Sequence, residues 1–409
     1  MDVRIGPITE EEYEPFMQAA GFAFGRHLSA RDLEREQLVF ERERALAARV
    51  DGLTVGTAMA NSMRLSVPGG EAATAAITSI GVVPTHRRRG IMRELMRRLL
   101  EEARDRGEPL AALHTSEGPI YGRFGFGLAT RMGILRIEGR HPEIDVATEP
   151  REIQALSREE ALAAFPAIHD GVRQVRPGMP DRSEAWWEYR LRDMEEDEEN
   201  AQTGYPEPFF ALSTGPEGPD GYVIYQVKRD WSDGFPNGTL EVVELMGIDA
   251  HAEAALWRYS FGIDLVARTV AWIRPTDDPL LHMLVDPRAA RFELRDAVWL
   301  RLVDVGAALS ARRYGARDRI VIEVRDPFCA WNEERFELEG GPEGAECRPG
   351  AGPADLALSA TDLGAIYLGG TRLATLHRAG RVEELNDGAV RRADAMFAWD
   401  PAPWCPMVF

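Results

Sequence analysis

The stretch Ile80-Gly81-Val82-Val83-Pro84-Thr85-His86-Arg87-Arg88-Arg89-Gly90-Ile91-Met92 reads as a strand that breaks at Pro84, a basic turn, a glycine and the start of a helix. A helix N-terminus presents unpaired backbone N–H groups and a partial positive charge. Gly90 puts no Cβ in the path of an incoming anion, and Arg87, Arg88 and Arg89 add cationic donors. The arrangement suits a ligand that carries a diphosphate. It lacks the G-x-x-x-x-G-K-[ST] of a P-loop and the G-x-G-x-x-G of a dinucleotide fold, which argues against ATP and NAD. On the triplet alone, three arginines that merely cap a surface helix explain the pattern equally well.

Around this stretch the chain alternates element types. Val3–Ile5 reads as a short strand, Thr9 with Glu12 as a capping box opening a helix through Phe16 and Ala20, and 30–39 as a second helix. Strands follow at 45–50 and 53–65, joined by the turn-forming pair Asp51-Gly52, and at 76–83 after Pro68-Gly69-Gly70. A helix over 90–106, a buried strand over 110–114 and a strand over 128–137 close a mixed α/β unit. A polar helical stretch over 147–192 leads to the acidic run Glu195–Glu199, expected on a solvated surface. Strands at 209–212, 221–227 and 240–246, a helix over 251–261 and a strand at 270–273 then repeat the first unit's order. From Asp296 the composition shifts again, with strands at 298–303, 320–324 and 336–338 and a helix over 361–367. The expected fold class is α/β (α+β), in three domains over 1–145, 146–295 and 296–409.

Composition narrows the function. With 44% hydrophobic and 28% charged residues in 409, the chain can bury sizeable cores and is neither disordered nor fibrous. Its net charge of −19 repels nucleic acid and anionic lipid and favours a cationic partner. The acidity is uneven: the first 140 residues hold 20 Arg against 19 Asp and Glu, so nearly all the excess lies beyond them. Cys329, Cys347 and Cys405 form neither a disulfide framework nor a metal-like spacing, and the eight histidines include no H-E-x-x-H. No metal is implied. The N-terminus lacks the pattern of a signal peptide, and no stretch approaches ~20 apolar residues, so a soluble cytoplasmic protein is expected.

Arg87-x-x-Gly90 after Val82-Val83-Pro84 resembles the acetyl-CoA motif of the GNAT N-acetyltransferase superfamily, although Met92 stands where many of its members carry Gly or Ala. Tyr121-Gly122-Arg123-Phe124-Gly125-Phe126, after the strand at 111–114, resembles the superfamily's tyrosine-bearing helix. The longer match, Pro84–Gly90 together with Ser116-Glu117-Gly118-Pro119-Ile120-Tyr121-Gly122-Arg123-Phe124-Gly125, is similar to the Eis family of acetyltransferases. That resemblance extends to Asp296–Arg301, to Tyr367-Leu368-Gly369-Gly370 and to the terminal Phe409.

The resemblance implies a catalytic GNAT domain, a central GNAT-like domain and a C-terminal domain similar to sterol carrier proteins. The central helix from His251 has no Arg-x-x-Gly before it, so that domain is expected to bind no CoA. Acetyl-CoA would be the cosubstrate, held by Ile80, Val82, Val83, Arg87, Arg88, Arg89, Gly90, Ile91 and Ser116. Amine acetylation needs a base for the amine, donors for the oxyanion and a proton for the leaving thiolate. By resemblance these are the terminal carboxylate of Phe409, the backbone N–H of Val82 and the hydroxyl of Tyr121. Tyr121 read without the family is equally an aromatic packing residue, and His114 a rim or core histidine. Trp187 matches a substrate-pocket position of the family, in a helical pattern where core packing is the alternative.

The activity implied is acetyl transfer to primary amines of polycations such as aminoglycosides, by direct transfer in a ternary complex within a homohexamer. Two other readings stay open. One is a protein-lysine or peptide acetyltransferase, and the other a non-catalytic apolar-ligand-binding protein that would tolerate loss of Tyr121.

Overall fold

A computed structural model describes residues 3–139, 142–147, 149–192 and 207–409. The acidic run Glu195–Glu199 lies outside the described residues. The chain divides into two compact units: unit 1 comprises 1–130, 297–403 and 408–409, and unit 2 comprises 131–296 and 404–407.

In chain order the elements up to residue 130 are β1 (Arg4–Pro7), α1 (Tyr13–Ala23), α2 (Ala30–Gln37), β2 (Ala45–Val50), β3 (Leu53–Val67), β4 (Gly70–Val82), α3 (Ile91–Asp105), β5 (Leu110–His114), α4 (Gly118–Tyr121) and β6 (Gly127–Leu128). Those of unit 2 are β7 (Arg131–Glu138), β8 (Glu152–Leu156), α5 (Arg158–Arg173), α6 (Glu184–Arg192), β9 (Phe209–Gly215), β10 (Gly218–Lys228), the short pair β11 (Trp231–Ser232) and β12 (Phe235–Pro236), β13 (Gly238–Gly247), α7 (Ala250–Phe261), β14 (Val266–Arg274), α8 (Leu280–Met283) and β15 (Ala290–Asp296). Unit 1 resumes with β16 (Val298–Leu302), α9 (Val305–Ser310), β17 (Asp318–Arg325), β18 (Arg335–Gly341), β19 (Gly344–Pro349), β20 (Leu356–Ser359), α10 (Ala360–Ile366), α11 (Leu373–Arg378), β21 (Val382–Glu384) and α12 (Ala389–Phe397).

Unit 1 holds a seven-stranded sheet in the order β1-β2-β3-β4-β5-β16-β6 and a five-stranded sheet in the order β19-β18-β17-β20-β21. Only the β4–β5 and β17–β20 pairs are parallel. Helix α3 connects the parallel strands β4 and β5, and its sequence explains its place. Ile91, Leu95, Met96, Leu99, Leu100 and Ala103 recur at helical spacing and are buried against Ile77, Ile80 and Leu113 of the sheet. The opposite face carries Glu94, which pairs with Arg97 and Arg98, and Glu101, which pairs with Arg97. The sheet of unit 2 runs β15-β7-β14-β13-β10-β9-β8, with α7 as the crossover between the parallel pair β13 and β14. The two GNAT-type mixed sheets and the third, smaller sheet bear out the expected fold class.

Three expectations are corrected. The strand read over 128–137 is two strands in different sheets: β6 belongs to the first, whereas β7 pairs with β14 and β15 in the second. The strand read at 298–303 as part of the third domain is β16, which lies between β5 and β6 in the first sheet. At Ala129 and Thr130 both backbone N–H groups donate to Val298 O, and Val298 N donates to the Thr130 hydroxyl at 3.0 Å. That knot of bonds ends one sheet. The Thr9–Glu12 capping box is the third: Glu12 does accept from Thr9 N at 2.8 Å, but α1 starts only at Tyr13 and Thr9 supplies no cap. The other Glu12 contact is Arg49, which holds both carboxylate oxygens.

Gly127 at the start of β6 is packed backbone to backbone against α10, so that a Cβ there would be driven into the Thr361 carbonyl oxygen and the Ala365 amide. Gly127→Ala is expected to destabilise the protein by about 3 kcal/mol, the upper end of ordinary overpacking, because backbone and not a flexible side chain must yield. Urea unfolding of the two proteins measures the difference.

Candidate active site

Two irregularities of β4 open the site. Pairing with β3 slips by one residue between Thr57↔Gly81 and Met59↔Thr78, and Ser79 in the slip has φ +49°. A β-bulge of this kind bends the strand. The Thr57 hydroxyl donates to the Ser79 carbonyl at 2.7 Å, so the bulge is held by a bond that the ladder does not supply. On its other edge β4 pairs with β5 only from Thr74↔Leu110 to Ala76↔Ala112, although β4 runs on to Val82 and β5 to His114. The strands part there. The β4 edge beyond Ala76, with Ile80 and Val82, has no strand partner on the β5 side.

Arg87 folds back to donate to Val82 O at 3.1 Å and to Ala23 O at 2.8 Å, and Arg89 donates to Thr85 O at 3.2 Å. All three arginines are exposed. Gly90, at φ +82°, is the N-cap of α3 and brings no side-chain cap, so the first amides of a fifteen-residue helix stay open. Glycine is required there by its left-handed backbone rather than by space, since a Cβ would meet nothing within 4 Å. Ser116 is exposed on the turn before α4.

Tyr121 ends α4 and is only 3% exposed. Its ring meets Phe126 edge-on at 6.3 Å. One apolar cluster contains Tyr121 together with Ile80, Val83 and Ile91, and Val82 packs against it, so these five predicted residues come together. Burial, aided by Glu117 and opposed by Arg123, pushes the Tyr121 phenol up from 10.0 to about 12. The hydroxyl therefore keeps its proton across the physiological range.

Phe409 closes the other side. Its ring packs edge-on to His114, the last residue of β5, with centroids 4.9 Å apart. The final residue of the chain thus meets the end of the strand that diverges from β4. Trp187 belongs to unit 2. It is 2% exposed in the core there, where Phe165, Tyr222 and His169 surround it and the Arg182 guanidinium lies 4.8 Å from its ring, surroundings that fit the core-packing alternative.

Unit 2 has the same strand–helix–strand order but fills the corresponding gap. Pairing of β13 with β14 ends at Val242↔Ala271, and Arg274 then donates across the opening to Leu245 O at 2.7 Å. Trp404 donates to Ile273 O at 2.7 Å beside the same guanidinium. The N-terminus of α7 is capped by the Asp249 carboxylate, a negative charge where α3 leaves its amides free. Among the described residues, no group of His, Cys, Asp or Glu is placed to hold a metal ion, and no helix is long and apolar enough to cross a membrane.

A parted β4–β5 pair leading to an uncapped helix with a basic turn is the architecture expected of an acetyltransferase of the GNAT class, and the family models match that class. Acetyltransferase (GNAT) domains match residues 4–129 and 178–302, and a sterol carrier protein domain matches 305–406. An N-acetyltransferase of Streptomyces avermitilis is 39% identical over 100% of this chain and 99% of its own length. The N-acetyltransferase Eis of Mycobacterium tuberculosis is 36% identical over 85% of this chain and 83% of its own. The crystal structure of Eis1 from Mycobacterium abscessus superposes with a TM-score of 0.86 at 33% identity, covering 100% of both chains. The chain belongs to the Eis family of GNAT N-acetyltransferases and is an acyltransferase.

The sequence did not reveal Arg301 and Thr361, which bond to the turn after Tyr121, or Asp326, which pairs with Arg301. Their only signal is that Arg301 falls inside a family-like stretch.

The Tyr121 shift has a measurable consequence. A phenol that ionises less readily in the folded state contributes stability that is complete below pH 10 and lost as pH rises through about 12. Between pH 9 and pH 11, wild type is expected to lose more unfolding free energy than Tyr121→Phe, as read by denaturant titration at both values. Equal losses would show that Tyr121 does not titrate in this way.

Proposed function

We propose that the chain is an acetyl-CoA-dependent N-acetyltransferase that modifies primary amines of polycationic small molecules, aminoglycosides among them, by direct transfer with both substrates bound. The observation that carries this reading is the contact of the Phe409 ring with His114 at the end of β5, in the domain that bears Tyr121.

The residues fit acetyl-CoA. The edge at Ile80 and Val82 that β5 leaves unpaired offers backbone groups to an extended pantetheine arm, with Val83 packing beside it while its own amide is held by Val55 O, and the open N-terminus of α3 at Gly90 and Ile91, with Arg87, Arg88 and Arg89, offers donors to a diphosphate. Ser116 adds a hydroxyl at the rim. When bound, acetyl-CoA supplies the activated acetyl group. The Val82 N–H donates to the thioester carbonyl oxygen as negative charge develops on it. The Phe409 carboxylate takes the proton that the amine releases as its nitrogen bonds to the acetyl carbon. The Tyr121 hydroxyl protonates the sulfur as the carbon–sulfur bond breaks, and the high phenol pKa keeps that proton available.

The net charge of −19 favours a polycationic acceptor and raises its local concentration. Nucleic acid and membrane surfaces are disfavoured for the same reason. A cytoplasmic homohexamer completes the proposal, in keeping with closed symmetric assembly as the common form of soluble oligomers.

Thiol release from acetyl-CoA, measured with aminoglycosides, spermine and a lysine-rich peptide, tests the reading. Release with the first two and little with the peptide is expected. Release with the peptide alone would replace small polyamines by protein lysines, and acetyl-CoA binding without any release would remove the amine reading. Tyr121→Phe is expected to lower kcat by on the order of a hundredfold while acetyl-CoA affinity stays within twofold. A chain extended by one glycine after Phe409 should lose turnover similarly, because its carboxylate is displaced; full activity would rule the carboxylate out as base.

A further inference from the structure

The turn that carries Tyr121 is held from outside the N-terminal domain. After α4 the chain makes a tight turn over Gly122–Phe124 before entering β6, and two of its carbonyls are tied to residues far along the sequence. Gly122 O accepts from the Thr361 hydroxyl at 3.0 Å. Phe124 O accepts from Arg301, whose guanidinium is fully buried and also donates to the Asp326 carboxylate.

Asp326 is itself immobilised. One carboxylate oxygen accepts from the amides of Phe328 and Cys329, at 3.3 and 3.0 Å, and the other accepts from the Asn332 side chain at 3.3 Å. Asn332 also donates to Leu302 O and Val303 O, tying this cluster to the end of β16. The Phe328 ring meets the Phe124 ring at 5.0 Å, so apolar packing reinforces the same connection. Asp326, Phe328, Asn332 and Thr361 all belong to the sterol-carrier-like domain.

We propose that Asp326, acting through Arg301, and Thr361 are positioning residues that aim the Tyr121 hydroxyl, so that the C-terminal domain serves acetyl transfer as the clamp of the tyrosine turn. The inference rests on Tyr121 as the proton donor. The geometry supports a positioning role because both ties end on carbonyls of the turn, within three residues of Tyr121. Neither tie reaches the phenol itself. A shift of the turn would move the hydroxyl relative to the sulfur, and misplacement of a reacting group by about 1 Å costs up to a hundredfold in rate.

The experiment uses the full-length protein with 3-fluorotyrosine incorporated. The Tyr121 resonance is assigned as the fluorine signal that Tyr121→Phe removes. Asp326→Asn weakens the buried pair, and Thr361→Val, at a half-buried site, is the milder change that keeps the test alive if Asp326→Asn fails to fold. Both are expected to shift or broaden the Tyr121 signal more than the other eight tyrosine signals. With acetyl-CoA and the aminoglycoside or spermine acceptor, both should lower kcat between tenfold and a hundredfold with unchanged acetyl-CoA affinity. In the Tyr121→Phe background neither should lower kcat further, and Thr361→Ser, which keeps the hydroxyl, should restore wild-type turnover. An unmoved Tyr121 signal, or losses that multiply with that of Tyr121→Phe, would overturn the clamp and leave the donor role standing. Wild-type turnover in Tyr121→Phe alone would instead overturn the donor role, and with it the clamp's catalytic meaning, even where the signal moves.

Discussion

The bulge at Ser79 is the constraint on which the site depends. A regular β4 would continue to pair with β5 through His114, and its amides would be spent on the ladder. The slip in register, fixed by the Thr57 hydroxyl on the Ser79 carbonyl, sends β4 away from β5 after Ala76. Three features follow from that parting. The β4 edge near Val82 is left unpaired on the β5 side, the basic turn and α3 begin where the strand has been redirected, and β5 runs on to His114 beyond its last pair with β4. The strain of a non-glycine residue at positive φ is localised at one position and offset by one hydrogen bond.

Unit 2 shows what happens to the same topology without that use. Its strands also part, yet Arg274 and Trp404 bridge the gap and Asp249 caps the helix. The Arg274 guanidinium is buried, paired with Asp278 at 2.6 Å, and flanked by Trp257 and Trp404. Removing such a cation from its surroundings would leave Asp278 buried and uncompensated, a change that typically costs about 3–5 kcal/mol. The duplicated fold has thus exchanged an open ligand cleft for interior packing. Trp404, in the tail next to Cys405 and Met407, is part of that filling, so the central unit binds the chain's own C-terminal segment at 404–407.

Much of this was legible in the sequence because its determinants are local. Asp51-Gly52 adopts the two positive-φ residues of a hairpin turn, the 3.6-residue apolar repeat after Gly90 is α3, and the strand, basic turn, glycine and helix of 80–92 fall where the periodicity and breakers put them. The partners of strands were not legible. Residues 128–137 contain no proline to mark a break, and nothing within them says that Thr130 will be bonded to Val298, 168 positions away. Strand pairing is written in two places at once, and a single stretch shows only half of it. Trp187 was ambiguous for a related reason, since a tryptophan on a helix has the same local signature beside a pocket as beside Phe165 and Tyr222. Arg301, Asp326 and Thr361 are ordinary polar residues until folding buries the first two as a pair and brings Arg301 and Thr361 to one turn.

The burial of Arg301 and Asp326 bears on why the C-terminal domain is retained. A buried ion pair is a poor source of net stability, since desolvation of both charges offsets most of their attraction. A well-packed apolar pair would hold β16 against the third sheet about as firmly. What a guanidinium adds is direction: its planar donors fix the Phe124 carbonyl and the Asp326 carboxylate at set angles, and the carboxylate is set in turn by two backbone amides and Asn332. The Thr361 hydroxyl on Gly122 O applies the same directional logic from another element. Charge is placed in the interior where geometry, rather than adhesion, is the quantity under constraint, and that place is the turn carrying Tyr121.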